Sequence, residues 1–149
     1  ERLKLSAYGK YLLSLIREFG LQDKVIMLGK LNALEMKERF LKVSVFLCPS
    51  VLENSPNTVG EAQLLGVPVA ASEAGGIPDM VSHGRDGLLF PAGDERAIAR
   101  AVEALWDRTR GEDGLCLAER LSGQARIKAK QAHDGERNYQ RLTEVYGEI

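Results

Sequence analysis

The residues best suited to chemistry stand between Val51 and Ala62, in the run Val-Leu-Glu-Asn-Ser-Pro-Asn-Thr-Val-Gly-Glu-Ala. Two carboxylates, Glu53 and Glu61, flank seven residues that read as the start of a helix. Ser55 reads as the N-cap and Pro56 as the first helical residue, which leaves the backbone N–H groups of Asn57, Thr58 and Val59 without intrahelical acceptors. Such an end attracts anions, phosphate among them. Glu53 lies in the loop before it, and Glu61 about one and a half turns beyond. An ionised carboxylate accepts hydrogen bonds from hydroxyl groups, so the run suits a ligand with both phosphates and hydroxyls, as a nucleotide sugar has.

The elements that must hold this run alternate along the chain. Leu5, Tyr8, Leu12, Leu15, Ile16 and Phe19 recur at helical spacing, and Gly20 closes that helix. Val25–Leu28 reads as a first strand, and Asn32 with Glu35 resembles a capping box before a helix bearing Met36, Phe40 and Leu41. Val43–Cys48 is a second apolar strand, closed by Pro49. After the helix from Ser55 to Leu65, Gly66 is a terminator and Val67–Ala71 a third strand. Gly75-Gly76 opens a turn before a short Pro78–Ser82 helix, and Asp86-Gly87 precedes a fourth strand at Leu88–Phe90. Asp94 caps a helix carrying Ala97, Ile98, Ala101, Val102, Leu105 and Trp106. Two more helices follow, near Leu117–Ala132 and Gly135–Gly147, with Thr109–Gly114 as a flexible linker between helices.

Strands that are apolar throughout are buried on both faces, and strands alternating with helices make parallel crossovers. The expected fold is an α/β, doubly wound, Rossmann-like parallel sheet. Such domains open on a strand, whereas this chain opens on a helix. The expectation is therefore a single domain over residues 1–149, truncated at its N-terminus, with the helices of 117–147 packed on it.

Composition narrows the partners. Twenty basic and twenty-one acidic residues give a formal charge of −1, which offers nothing to nucleic acid. The basic set Arg120, Arg126, Lys128, Lys130 and Arg137 reads as a solvated helix face, with a membrane-facing role as the sharper alternative. Cys48 and Cys116 read as reduced cysteines of a cytoplasmic protein, and no Cys/His spacing suits a metal. His83 and His133 lack ligand partners at metal spacing. No apolar run approaches the ~20 residues of a membrane span, and the N-terminus shows no signal-peptide pattern.

Six ordered segments together carry a resemblance: Val25–Gly29, Val45–Ser50, Glu53–Glu61, Gly66–Ser72, Gly75–Asp79 and Gly87–Phe90. From about Val25 to Asp94 the chain resembles the C-terminal, donor-binding domain of the retaining, GT-B-fold glycosyltransferases of family 4. The resemblance implies transfer of a sugar from a nucleoside diphosphate sugar to an acceptor with retention of configuration. It implies that Glu61 binds the ribose hydroxyls and that Glu53 faces the transferred sugar and is the catalytic candidate. The diphosphate would rest on the backbone of Asn57, Thr58 and Val59, and the nucleobase on the backbone of Gly29, Lys30 and Leu31. No cofactor and no metal are implied.

Two departures from the family pattern stand out. Pro56 replaces the common glycine and has no N–H to give to the sugar, so Asn54 or Asn57, beside Ser55, would supply the contact and alter which sugar is held. The basic pair that neutralises the diphosphate in the family lies upstream of the segments seen here, as does the acceptor-binding N-terminal domain. The expectation is thus a fragment inactive by itself, whose sheet another strand or an oligomer completes. Peripheral membrane association of the intact protein and a role in envelope polysaccharide synthesis rest on the resemblance alone.

Plainer readings accompany these. Glu53 and Glu61 are also ordinary residues near a helix start, and Ser55 as a cap needs no chemical role. Gly75-Gly76 serves either a positive φ or close approach to a donor sugar. In the family, an acid at the place of Asp79 is mostly structural, and the last helix reaches toward the N-terminal domain, so exposed Tyr139, Leu142, Val145 and Tyr146 would mark that contact. A GT-B-like sugar-nucleotide epimerase needs acid/base residues that the Glu53–Glu61 strip lacks beyond Glu53. A non-catalytic nucleotide-binding module remains the third alternative.

Overall fold

The computed structural model describes residues 7–147, so Leu5, assigned above to the first helix, lies outside them. The chain divides into two compact units, one up to residue 33 and one from residue 34.

In the first unit, α1 spans Ala7–Glu18. It ends as its sequence dictates: Gly20 adopts φ +64°, and the N–H groups of Gly20 and Leu21 turn back onto the carbonyls of Arg17 and Ile16 at 3.1 and 2.8 Å. Val25–Leu28 corrects an expectation. These residues form no strand, and Ile26 and Met27 are 79% and 59% exposed. An apolar run becomes a strand only when a neighbour completes its ladder of hydrogen bonds, and none is paired with it here.

The second unit holds all but the first residue of α2 (Ala33–Phe40), then β1 (Phe46–Cys48), α3 (Asn57–Leu65), β2 (Val69–Ser72), α4 (Ile77–Met80), β3 (Leu88–Phe90), α5 (Glu95–Trp106), α6 (Leu117–Ala132) and α7 (Gly135–Gly147). The sheet among the described residues has three parallel strands rather than four, in the order β1-β2-β3, with Phe46 opposite Val69 and Ala70 opposite Leu88.

All four β2 residues are buried because both faces are covered. Val69 and Ala71 face Val59, Ala62 and Ile77, while Ala70 packs with Leu88, Phe90, Ala101 and Leu105. The α/β, Rossmann-like layering is thus present, with α3 against β1 and β2 and α5 against β2 and β3. Phe40 closes one end, its ring edge-on to Phe46 with centroids 5.2 Å apart.

Helix ends follow their signals. Gly66 stops α3 in the left-handed region at φ +74°, and the Asp94 carboxylate accepts the Ala97 N–H at 2.9 Å to start α5. The flexible linker expected at Thr109–Gly114 is instead a closed turn. Gly111 N–H donates to the Leu115 carbonyl at 3.0 Å, and the Arg110 guanidinium bonds both the Gly114 carbonyl and Glu119.

Helix α6 packs on α3 and α5. Its Arg126 lies beside Gly66 and its His133 beside Gly60, so α6 runs antiparallel to α3. The same helix neutralises a buried charge. Asp86, 3% exposed, accepts the Ser82 N–H at 2.7 Å and the Lys128 ammonium at 3.0 Å, and that ammonium also donates to the Met80 carbonyl and Ser82 hydroxyl. Helix α7 buries no residue and leaves Tyr139, Leu142, Val145 and Tyr146 exposed.

Candidate functional site

Because the three strands are parallel, the loops after β1, β2 and β3 leave the same edge of the sheet. In open α/β sheets this carboxyl edge is where ligands bind. The loop after β1 carries Glu53 and Asn54 and leads into α3, and the loop after β2 carries Gly75-Gly76.

The two loops are pinned together. Gly76 N–H donates to the Asn54 carbonyl at 2.6 Å. A Cβ placed on Gly75 would overlap the Glu53 carbonyl oxygen, and one on Gly76 would overlap that of Asn54. Gly75 also has φ +53°. Of the pair, Gly75 alone has a positive φ, and both glycines approach the backbone of the neighbouring loop closely.

The Glu53 side chain is half-buried and held at one oxygen. Ser50 donates its hydroxyl to Glu53 Oε1 at 3.1 Å. Ser72, fully buried at the end of β2, donates to the Ser50 carbonyl at 2.5 Å and so fixes the peptide from which that hydroxyl projects. Cys48 Sγ lies 3.7 Å from Ser50 Oγ. An ionised carboxylate only accepts, so the Ser50 proton belongs to Glu53 and the thiol proton points at Ser50 Oγ. Neither serine stood out in the sequence; the signal for Ser50 is only its place three residues before Glu53.

The start of α3 differs from its reading in two respects. Ser55 is not the N-cap. Its hydroxyl donates to Met80 Sδ at 3.4 Å, and Pro56, with φ −70° and ψ 115°, stands at the cap without a side-chain bond. Proline at the cap shifts the helix start by one residue, to Asn57. The Val59 N–H is also engaged: it donates to the Pro56 carbonyl at 3.0 Å, closing a tight first turn. Helix geometry leaves the amides of Asn57 and Thr58 as the open donors. With no cap carboxylate or hydroxyl competing for them, these two amides keep the partial positive charge of the helix end.

Glu61 lies on the exposed side of α3, about 6 Å along its axis from Asn57, while Val59, Ala62 and Gln63 are buried behind it. Asn54, Ser55 and Asn57 are exposed along the same entry to the helix. Gly29, Lys30 and Leu31 lie in the first unit, where Gly29 adopts φ +70° and Lys30 forms a bend. Asp79 lies on α4 and is exposed. Among the described residues no cluster of three His, Cys, Asp or Glu side chains could hold a metal ion.

A depression of about 670 Å³, lined by Arg85, Leu117, Arg120, Gln124 and Ile127 among others, lies where residues 84 and 85 precede β3, at the amino edge of the sheet. Chemistry singles out the carboxyl edge instead: two carboxylates, two open amides and a loop pair locked by glycine.

Comparison with known proteins identifies the family and the fold. A family model described as glycosyl transferases group 1 matches residues 2–108. The D-inositol 3-phosphate glycosyltransferase of Arthrobacter sp. (strain FB24) is 35% identical over 112 residues, which cover 74% of this chain and 27% of that protein. The amylovoran biosynthesis glycosyltransferase AmsK of Erwinia amylovora is 34% identical over 90 residues, covering 56% and 22%. The chain thus spans about a quarter of the length of these relatives. Among solved structures, Anabaena Alr3699/HepE in complex with UDP superimposes with a TM-score of 0.84 at 25% identity, over 95% of this chain and 37% of that one. The C-terminal domain of a glycosyl transferase group 1 family protein (LpcC) from Francisella tularensis matches with a TM-score of 0.70 at 18% identity, over 85% of this chain and 62% of that one, and shows the fold alone. With the family model matching most of its length and its fold shared with these structures, the chain belongs to the group 1 glycosyl transferases, as a C-terminal domain of their GT-B fold.

Proposed function

We propose that this chain is the donor-binding part of a retaining glycosyltransferase that uses a nucleoside diphosphate sugar. The observation that carries the reading is the frame around α3: Glu53 before its open N-terminus and Glu61 on its exposed side, with the entering loop locked to Gly75-Gly76. The diphosphate binds the amides of Asn57 and Thr58, each charge-assisted hydrogen bond contributing about 1.5–3 kcal/mol. Those donors also favour departure of the diphosphate as negative charge builds on it.

Glu61 grips the ribose hydroxyls through two carboxylate oxygens. Glu53 meets the transferred sugar with Oε2 and faces the positive charge that develops at the anomeric carbon. Asn54 and Asn57 replace the sugar contact that Pro56 does not offer, and they set which sugar is held. UDP is the first nucleotide to try, since the Anabaena neighbour is seen with it.

The acceptor is held by an N-terminal domain and the cations that neutralise the diphosphate stand upstream of the family segments, and the two cysteines, free and buried, fit a reducing cytoplasm. Calorimetry with UDP, GDP and ADP tests the reading. One of them should bind, and Glu61→Ala should weaken it by at least about 1 kcal/mol. Equal affinity in the variant would remove Glu61 from the ribose.

A further inference from the structure

We infer that Ser50 is a positioning residue for Glu53, acting through Oε1 so that Oε2 is presented to the sugar. This rests on the reading of Glu53 given above. Left alone, a glutamate in an exposed loop samples several rotamers, and each well-populated alternative dilutes the productive one. Here one oxygen is taken by the Ser50 hydroxyl at 3.1 Å, and no hydrogen bond among the described residues reaches Oε2. The donor is itself fixed. Ser72 Oγ, fully buried, grips the Ser50 carbonyl at 2.5 Å, and Cys48 Sγ stands 3.7 Å behind the Ser50 hydroxyl.

The main chain of Glu53 is fixed independently. Gly75 packs against its carbonyl, and Gly76 N–H holds the next carbonyl at 2.6 Å. With backbone and one carboxylate oxygen both anchored, the remaining torsions lose their freedom, as a preorganised group requires. The anchors come from the ends of β1 and β2, so Glu53 inherits the rigidity of the sheet rather than the mobility of its loop. A buried Ser72 in an otherwise apolar β2 has a reason in this chain of bonds, because its hydroxyl would otherwise be unpaired in the core.

The test compares Ser50→Ala, Ser50→Thr and Glu53→Ala in the protein as it stands and in a longer protein that includes its partner domain. Side-chain scalar couplings of Glu53 should report one dominant rotamer in the parent and in Ser50→Thr, and averaging in Ser50→Ala. In the longer protein, release of the nucleoside diphosphate from a panel of UDP- and GDP-sugars should fall about ten- to a hundredfold in Ser50→Ala, with nucleotide affinity unchanged within about twofold and recovery in Ser50→Thr. Adding Ser50→Ala to Glu53→Ala should cost nothing more. An unchanged Glu53 rotamer in Ser50→Ala, or an equal further loss in the double variant, overturns the positioning role while leaving Glu53 in place. Full turnover in Glu53→Ala overturns the reading of Glu53 itself.

Discussion

Gly76 N–H meets the Asn54 carbonyl at 2.6 Å, and through that single bond the turn after β2 dictates where the loop after β1 can go. Gly75 reinforces it by lying directly against the Glu53 carbonyl. Gly75→Ala therefore faces a double penalty, a methyl group inside a carbonyl and a φ of +53° that alanine resists. We expect a loss of at least about 2 kcal/mol in urea unfolding, together with loss of nucleoside diphosphate binding. Stability within about 0.5 kcal/mol of the parent would show that the two loops separate freely.

Glu61 offers the contrasting case. It is exposed on α3, and no side-chain hydrogen bond or ion pair among the described residues involves its carboxylate, so Glu61→Ala should leave unfolding within about 0.5 kcal/mol of the parent. Nucleoside diphosphate affinity should still fall by about 1–3 kcal/mol, the span for hydrogen bonds to a charged group. A variant that loses stability and affinity in equal measure would place Glu61 in the fold rather than at the ribose.

The order of elements was legible in the sequence because glycine, proline and capping aspartate write helix and strand ends locally. Gly20, Gly66 and Asp94 each behave as their position says. What escaped depends on residues far apart in the chain. Ser55 has the right type for a cap, yet Met80, twenty-five residues on, takes its hydroxyl. Val25–Leu28 has the composition of a strand, but a strand is a relation between two segments and composition states only one of them. The Ser72-to-Ser50 bond spans twenty-two residues, and nothing near either serine announces it. In the candidate site, Glu53 and Glu61 were visible as a spacing around a helix start, whereas the devices that hold Glu53 were not.

The pair of Lys128 and Asp86 makes a third prediction. Replacing Lys128 with methionine keeps much of its packing but leaves a carboxylate, 3% exposed, with only the Ser82 N–H. We expect a loss of about 1–3 kcal/mol, below the range for fully buried pairs because Lys128 is 38% exposed. Asp86→Asn in the Lys128→Met background should recover part of it, since the uncompensated charge is gone. No recovery would assign the loss to packing.

Acid should act at the start of α6. The Cys116 N–H at 2.9 Å, helped by the Cys116 side chain and then by Arg110, holds the Glu119 carboxyl below its ordinary value of 4.5. A carboxylate whose pKa is lower in the folded state adds stability that is complete above the ordinary value and disappears as pH falls through the lowered one. Urea midpoints measured from pH 6 downward should thus decline more steeply in the parent than in Glu119→Gln, starting near pH 4.5. Parallel curves would show that the bond contributes nothing to folding.

The split support of the two carboxylates has an evolutionary consequence. Glu53 answers to strand ends, through Ser50, Ser72 and the glycine pair, whereas Glu61 answers to α3 and the α6 helix packed against it. Asn54 to Asn57 lie between these supports. On the function proposed above, substitutions at Asn54 and Ser55 would change which sugar is accepted while leaving the supports of the two carboxylates as they are, so donor choice could diverge within one nucleotide frame.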